Sequence, residues 1–95
     1  MTRAELLEKL RELKPWLEEE GIVNLRLFGS YARDEAGPES DVDLLVDLAQ
    51  PLGLRFYSLA EELTDRVGKE VDLLTFNGLR NPYVRASALR DCVEV

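Results

Sequence analysis

The chain has 95 residues, of which 45% are hydrophobic and 33% are charged, and its formal net charge is −7. This composition is typical of a globular protein and excludes a disordered chain. No apolar run approaches the roughly 20 residues that a membrane helix needs, so we expect no membrane partner. An acidic chain is also poorly suited to the phosphate backbone of nucleic acid, which requires clustered Lys and Arg, so we expect no direct nucleic-acid partner.

The chain contains one cysteine, Cys92, and no histidine. An internal disulfide is therefore excluded, and the commonest zinc ligand is missing. Any general base must be a carboxylate, Lys, Tyr or water. The first residues enter an amphipathic pattern without a signal-peptide core, which predicts a cytoplasmic protein.

The first predicted element is a helix that begins with a capping box between Thr2 and Glu5 and ends at Gly21. Pro15 lies late in this pattern and predicts a kink or break around residues 13–14. A strand follows over residues 22–28, with Val23, Leu25 and Leu27 on one side. A short helix is expected from Ser30, directly after the Gly29 turn.

Residues 35–40 read as a loop, and residues 41–47 as the second strand. Residues 52–67 form a second amphipathic helix that ends near Gly68. A third strand over 70–76, a break at Asn77-Gly78, a helix over 82–90 and a short edge strand over 92–95 complete the chain. We expect one α/β (α+β) domain over 1–95, with a single sheet of three to four strands packed with helices. The first two strands are joined by about a dozen residues, which is short for a parallel crossover and predicts a mixed sheet.

Gly29-Ser30 and the segment Asp41-Val42-Asp43 are the stretches that suggest chemistry. A turn without a Cβ lets backbone amides approach a phosphate, although a Gly-Ser pair alone is most simply a capped turn. Asp41 and Asp43 leave the same face of a strand, where their charges repel unless a cation lies between them. The alternative is an acidic strand face in solvent, which is the preferred interpretation for Asp47.

Asp72, on the third predicted strand, completes a cluster of three carboxylates if that strand neighbours the second. Such hard oxygen ligands suit Mg²⁺ or Mn²⁺, which then bridge to substrate phosphates. Arg33 lies one helical turn beyond Ser30. It could bind a phosphate or pair with Asp34 or Glu35, and the sequence leaves both options open.

These segments resemble the polymerase-β-like nucleotidyltransferases, and most closely their minimal branch, often called MNT or MntA-like. The resemblance rests on three motifs and extends to both ends of the last helix: Gly29-Ser30-Tyr31-Ala32-Arg33, Ser40-Asp41-Val42-Asp43-Leu44-Leu45-Val46, Val71-Asp72-Leu73-Leu74, Asn81-Pro82-Tyr83-Val84-Arg85 and Leu89-Arg90-Asp91-Cys92-Val93. It implies the nucleotidyltransferase fold for the whole chain. One departure is Asp34, where relatives often have Gly.

The resemblance implies metal-dependent transfer of a nucleoside monophosphate, AMP from ATP, to an acceptor hydroxyl. It assigns catalysis and the binding of two Mg²⁺ ions, or Mn²⁺, to Asp41, Asp43 and Asp72. It assigns binding of the triphosphate to Gly29, Ser30 and Arg33. Asp72 would also help to deprotonate or orient the attacking hydroxyl.

The branch is commonly paired with HEPN-domain proteins in toxin–antitoxin systems, so the resemblance implies an antitoxin that modifies a HEPN ribonuclease toxin. We expect no second domain that would bind an acceptor, which favours a protein partner. The main alternative is a module that neutralises its partner by contact alone, with a vestigial site. Transfer to a small molecule ranks last, because relatives with that activity usually carry extra domains.

Overall fold

The computed structural model describes residues 1–76 and 79–95. Helices and strands alternate along the described chain. Their bounds are α1 Arg3–Glu19, β1 Ile22–Phe28, α2 Gly29–Ala32, β2 Val42–Leu48, α3 Arg55–Val67, β3 Val71–Thr75, α4 Pro82–Asp91 and β4 Val93–Glu94. The order matches the sequence prediction, with element ends shifted by up to three residues. The predicted break at Asn77-Gly78 lies outside the described residues.

The strands form one four-stranded sheet in the order β3-β2-β1-β4. β1 runs antiparallel to β2 and to β4, and β2 runs parallel to β3. The predicted mixed sheet is therefore confirmed. The longer connection through α3 provides the parallel crossover between β2 and β3, whereas the short connection after β1 can only return the chain antiparallel. β2 and β3, which carry the carboxylates, are direct neighbours.

α1 begins at the predicted capping box, but it does not break at the position predicted from Pro15. The Thr2 N–H donates to Glu5 Oε1 at 3.1 Å, and the Glu5 N–H donates to Thr2 Oγ1 at 3.1 Å, which completes the capping box. Pro15 lies inside one continuous helix, so the predicted break was wrong. Its ring is exposed, while Leu10 and Leu17 on either side are fully buried and hold the two halves of α1 against the sheet.

β1 departs from the predicted alternation near its start. Its pairing with β2 is irregular between Val23 and Arg26, and Asn24 has a φ of 52°. Such a bulge adds one residue to the strand and shifts the following side chains to the other face. Ile22 is consequently buried in one cluster with Leu25 and Leu27, and Val23 is only partly buried, which corrects the prediction that Val23 lies on the same side as Leu25 and Leu27.

The sheet is covered on both faces. One face packs against α1 and α3 through the larger buried cluster, which includes Val42, Leu44 and Val46. The other face carries a smaller cluster of Phe28, Leu45, Leu79 and Ala88, the last of these from α4. Near the start of β2, Asp43 remains only partly buried and Asp41, directly before the strand, is exposed. No helix in the described part of the chain is long and apolar enough to cross a membrane.

Candidate active site

The Gly29 turn lies directly against Asp43. Gly29 has a φ of 76°, a conformation that residues with a Cβ rarely adopt. A Cβ at this position would overlap Asp43 Oδ2 and lie 3.2 Å from Asp43 Cγ. Phe28, the residue before the turn, is the partner of Asp43 in the β1–β2 ladder. A glycine is therefore required here for the carboxylate to lie against the backbone of the turn.

Asp43 and Asp72 are paired in the parallel ladder between β2 and β3. Residues in register on neighbouring strands project from the same face of a sheet, so the two carboxylates lie side by side. Asp43 is partly buried and Asp72 is exposed. Asp41 immediately precedes β2 and is also exposed. The expectation that the third strand neighbours the second is thus confirmed, and it places Asp72 beside Asp43.

The carboxyl group of Asp43 is strongly perturbed. Burial raises the pKa of Asp43 from its ordinary 3.8 to about 6, and the charges of Asp72 and Asp41 act in the same direction. The Arg33 guanidinium opposes this shift. Placing like charges together has an energetic cost that a bound cation would remove.

The donor set fits a divalent ion that shares its coordination with a substrate. Among residues 1–76 and 79–95, no three acidic side chains lie close enough together to hold an ion by themselves, so the structure pairs Asp43 with Asp72 but does not complete the predicted cluster of three carboxylates. Mg²⁺ is ordinarily bound by one or two carboxylates, with waters and substrate phosphates as the remaining ligands. The paired Asp43 and Asp72, with Asp41 exposed beside them, supply oxygen ligands of that kind, so the residues present fit the expected Mg²⁺.

Replacing Asp43 by Asn should stabilise the metal-free protein near neutral pH. Because its pKa is raised on folding, Asp43 destabilises the folded state above a pH of about 6, and this penalty disappears below the ordinary pKa of 3.8. Solvent around this partly buried group reduces the effect, so we expect Asp43→Asn to raise the free energy of unfolding by about 1 kcal/mol. Urea unfolding with a chelator, at neutral and acidic pH, measures the difference.

Asp47→Asn is the matched control on the same strand. Asp47 Oδ2 accepts a hydrogen bond from Asn24 Nδ2 at 2.9 Å and pairs with Arg26 Nη2 at 3.0 Å. Its loss should lower stability at neutral pH or leave it unchanged. A gain for Asp47→Asn equal to that for Asp43→Asn would contradict the assigned cause. The pair also corrects the interpretation of Asp47 as merely solvated.

Ser30 and Arg33 lie on the helical turn that follows Gly29. Within the described chain, no residue hydrogen-bonds to the Ser30 hydroxyl. Arg33 Nε donates to Glu35 Oε2 at 3.0 Å, and both side chains are largely exposed. Of the partners left open by the sequence, the structure pairs Arg33 with Glu35. An exposed ion pair is weak, so it would not prevent Arg33 from turning to a phosphate.

Asp34, which stands where relatives often have Gly, has a φ of 58°. This left-handed conformation is natural for Gly and is tolerated by Asp. The turn after α2 can therefore form with Asp34 in place of the Gly that relatives often have.

The sequence did not indicate a role for the outer side of α4. Tyr83 and Val84 are exposed there, next to an open pocket beside the Gly29 turn. A weakly amphipathic pattern over residues 82–90 could have indicated this surface, because such a helix cannot bury all of its apolar side chains in the core.

Comparison with known sequences gives consistent matches over nearly the whole chain. A family model described as a nucleotidyltransferase domain matches residues 3–95. A Methanocaldococcus jannaschii protein, provisionally named a protein adenylyltransferase, is 38% identical over 96 residues, covering 99% of this chain and 98% of its own length. The protein adenylyltransferase MntA of Thermococcus cleftensis is 40% identical over 76 residues, covering 79% of this chain and 76% of its own.

Solved structures share the fold. One that is provisionally described as a minimal nucleotidyltransferase has a TM-score of 0.85 at 31% identity and covers 100% of this chain and 97% of its own. Another comes from the complex of a tri-AMPylated Shewanella oneidensis HEPN toxin with an MNT antitoxin. It has a TM-score of 0.68 at 18% identity, covering 94% of this chain and 70% of its own. At that identity the second likeness concerns the fold alone.

Proposed function

We propose that this chain, which belongs to the nucleotidyltransferase domain family, transfers AMP from ATP to a hydroxyl group of a HEPN-domain protein and so acts as its antitoxin. The predicted fold and the nucleotidyltransferase class are confirmed by the family match over residues 3–95 and by the TM-score of 0.85. Protein adenylylation is the activity named for relatives at 38% and 40% identity. We further propose that residues 1–95 act as one domain in the cytoplasm.

One observation within the structure supports this proposal most strongly: Asp43 pairs in register with Asp72 and lies against Gly29. The Gly29 turn and two carboxylates therefore lie together at one end of the sheet, which supports a proposed role for the turn in binding phosphate. The turn directly follows β1 and the carboxylates belong to β2 and β3, and the three strands are consecutive in the sheet. This proximity is what supports the proposal that the turn, the acidic strand and Asp72 act as one site.

The proposed reaction is a displacement at phosphorus. The acceptor oxygen forms a bond to the α-phosphorus of ATP, the bond from that phosphorus to the bridging oxygen breaks, and pyrophosphate leaves. The proton of the acceptor hydroxyl passes to a carboxylate or to water. Asp72 is exposed beside Asp43 and is therefore accessible to that hydroxyl, which it would orient and help to deprotonate.

Asp41, Asp43 and Asp72 would hold two Mg²⁺ ions, or Mn²⁺ in their place. When bound, these ions would neutralise the triphosphate and favour attack at the α-phosphorus. The Gly29 turn would offer backbone amides, and Ser30 its hydroxyl, to the triphosphate tail. Arg33 would exchange its pairing with Glu35 for a phosphate oxygen.

Intact-mass spectrometry tests this function. The chain is incubated with ATP, Mg²⁺ and the HEPN-domain protein from the same genome. We expect the partner to gain one or more AMP masses and to lose ribonuclease activity in parallel. A partner that binds the chain and stays unmodified, yet loses its ribonuclease activity, would establish the contact-only alternative instead.

A further inference from the structure

An open pocket of about 300 Å³ lies between the Gly29 turn and α4. Phe28, Gly29 and Arg33 line one side, and Tyr83, Val84 and Ala88 line the other. Gly29 therefore borders this pocket and also contacts Asp43, so the pocket opens directly beside the proposed triphosphate site.

The α4 wall of this pocket exposes apolar side chains that the fold does not use. Tyr83 is 86% exposed and Val84 is 45% exposed, whereas Ala88 is the buried residue of α4. Apolar groups that remain exposed around a concavity are typical of a ligand site. Their position next to Gly29 connects that ligand with the reaction centre.

We propose that this pocket binds the nucleoside of the donor nucleotide, with the base against the Tyr83 ring. This inference rests on the proposed function. The carboxylates of β2 and β3 and the Gly29 turn would fix the phosphates, so the nucleoside must extend to a surface that adjoins them. The pocket is such a surface, and aromatic side chains bind bases by stacking, whatever the base.

The charges around the pocket favour a nucleoside over the triphosphate tail. Arg33 is the cationic residue of the lining and lies on the side of the turn. Ser87 and Asp91 line the pocket on α4, with Ser87 Oγ 3.4 Å from Asp91 Oδ2. A carboxylate in this position repels phosphate oxygens, whereas the Ser87–Asp91 pair can bind ribose hydroxyls or the polar edge of a base.

Calorimetric titration with two ligands tests this assignment. MgATP carries the nucleoside, and magnesium tripolyphosphate presents the phosphates alone. We expect Tyr83→Ala to weaken MgATP binding by about fivefold to a hundredfold and to leave tripolyphosphate binding unchanged. Tyr83→Phe keeps the ring and should restore the wild-type affinity for MgATP.

Tyr57→Ala is the matched control. Tyr57 is 67% exposed, on α3, which covers the opposite face of the sheet, so its loss should change neither affinity. Because Tyr83 is similarly exposed, Tyr83→Ala should keep the wild-type circular dichroism spectrum.

Two results would overturn the nucleoside assignment. Equal weakening of both ligands by Tyr83→Ala would place the phosphates in the pocket, and unchanged MgATP binding would remove the nucleoside from it. If the wild-type chain still transfers AMP in either case, only this inference fails. A wild-type chain that neither binds MgATP nor transfers AMP would overturn the proposed function as well.

Discussion

Replacing Asp41 and Asp43 together by Asn should reduce AMP transfer by at least about a thousandfold, because metal ligation supplies several kcal/mol of transition-state stabilisation. Asp41 is exposed directly before β2, and the partly buried Asp43 is paired with Asp72 across the parallel ladder. Asn keeps the size of each side chain but removes its charge, so the variant should still fold. Initial rates with saturating partner protein measure the loss.

The stability of the same variants separates a functional site from a structural one. Asp43→Asn should gain stability while it loses activity, because the raised pKa of Asp43, about 6, makes its charge unfavourable in the metal-free protein. Asp47→Asn is the control for rate as well, since Asp47 shares β2 but pairs with Arg26 at 3.0 Å. Equal loss of transfer in Asp47→Asn and in the double variant would contradict the assigned roles.

Gly29→Ala should reduce both stability and transfer. Its φ of 76° costs a residue with a Cβ roughly 1–2 kcal/mol, and the new methyl group would also overlap Asp43 Oδ2. Relief of that overlap requires the Asp43 carboxylate to move away from the turn. Because misplacement of a reacting group by 1 Å can cost a hundredfold in rate, we expect transfer to fall by about that factor.

Gly68→Ala isolates the backbone contribution to this effect. Gly68 ends α3 with a φ of 85°, and a Cβ there would meet no atom within 4 Å. Gly68→Ala should therefore lose roughly 1 kcal/mol of stability and keep the wild-type rate. If Gly29→Ala loses no more stability than Gly68→Ala and also keeps its rate, the contact between Gly29 and Asp43 has no catalytic importance.

The fold was predictable wherever local chemistry and burial indicate the same structure. The capping box of Thr2 and Glu5 marks the start of α1, and Gly68 marks the end of α3. The apolar alternation of Val42, Leu44 and Val46 identifies the core face of β2. In these segments the residue pattern and the tertiary environment agree, which is the usual condition for correct prediction.

The departures arise where tertiary packing outweighs local preference. α1 continues through Pro15 because buried leucines on either side hold it against the sheet. The bulge in β1 is stabilised by a contact distant in sequence, from Asn24 to Asp47, and a strand pattern alone cannot reveal it. The pairing of Asp43 with Asp72 could be predicted only on the condition that β2 and β3 are neighbours. The crossover through α3 decides that arrangement, and the sequence alone does not show it.

The pocket beside α4 could not be predicted in the same way. Helix periodicity shows where α4 lies, but the concavity exists only because α4 packs near the Gly29 turn, so that Tyr83 and Val84 line the pocket together with Gly29. Such a surface depends on the packing of elements far apart in sequence.

Labelled ATP tests nucleotidyl transfer most directly. The chain, Mg²⁺ and the HEPN-domain protein are incubated with ATP carrying a radioactive α-phosphate, or, in parallel, a radioactive γ-phosphate. AMP transfer predicts label on the partner protein from the α-position alone, with pyrophosphate released in equal amount. Label from the γ-position would indicate phosphoryl transfer, and an unlabelled partner in both reactions would show that the chain does not modify it.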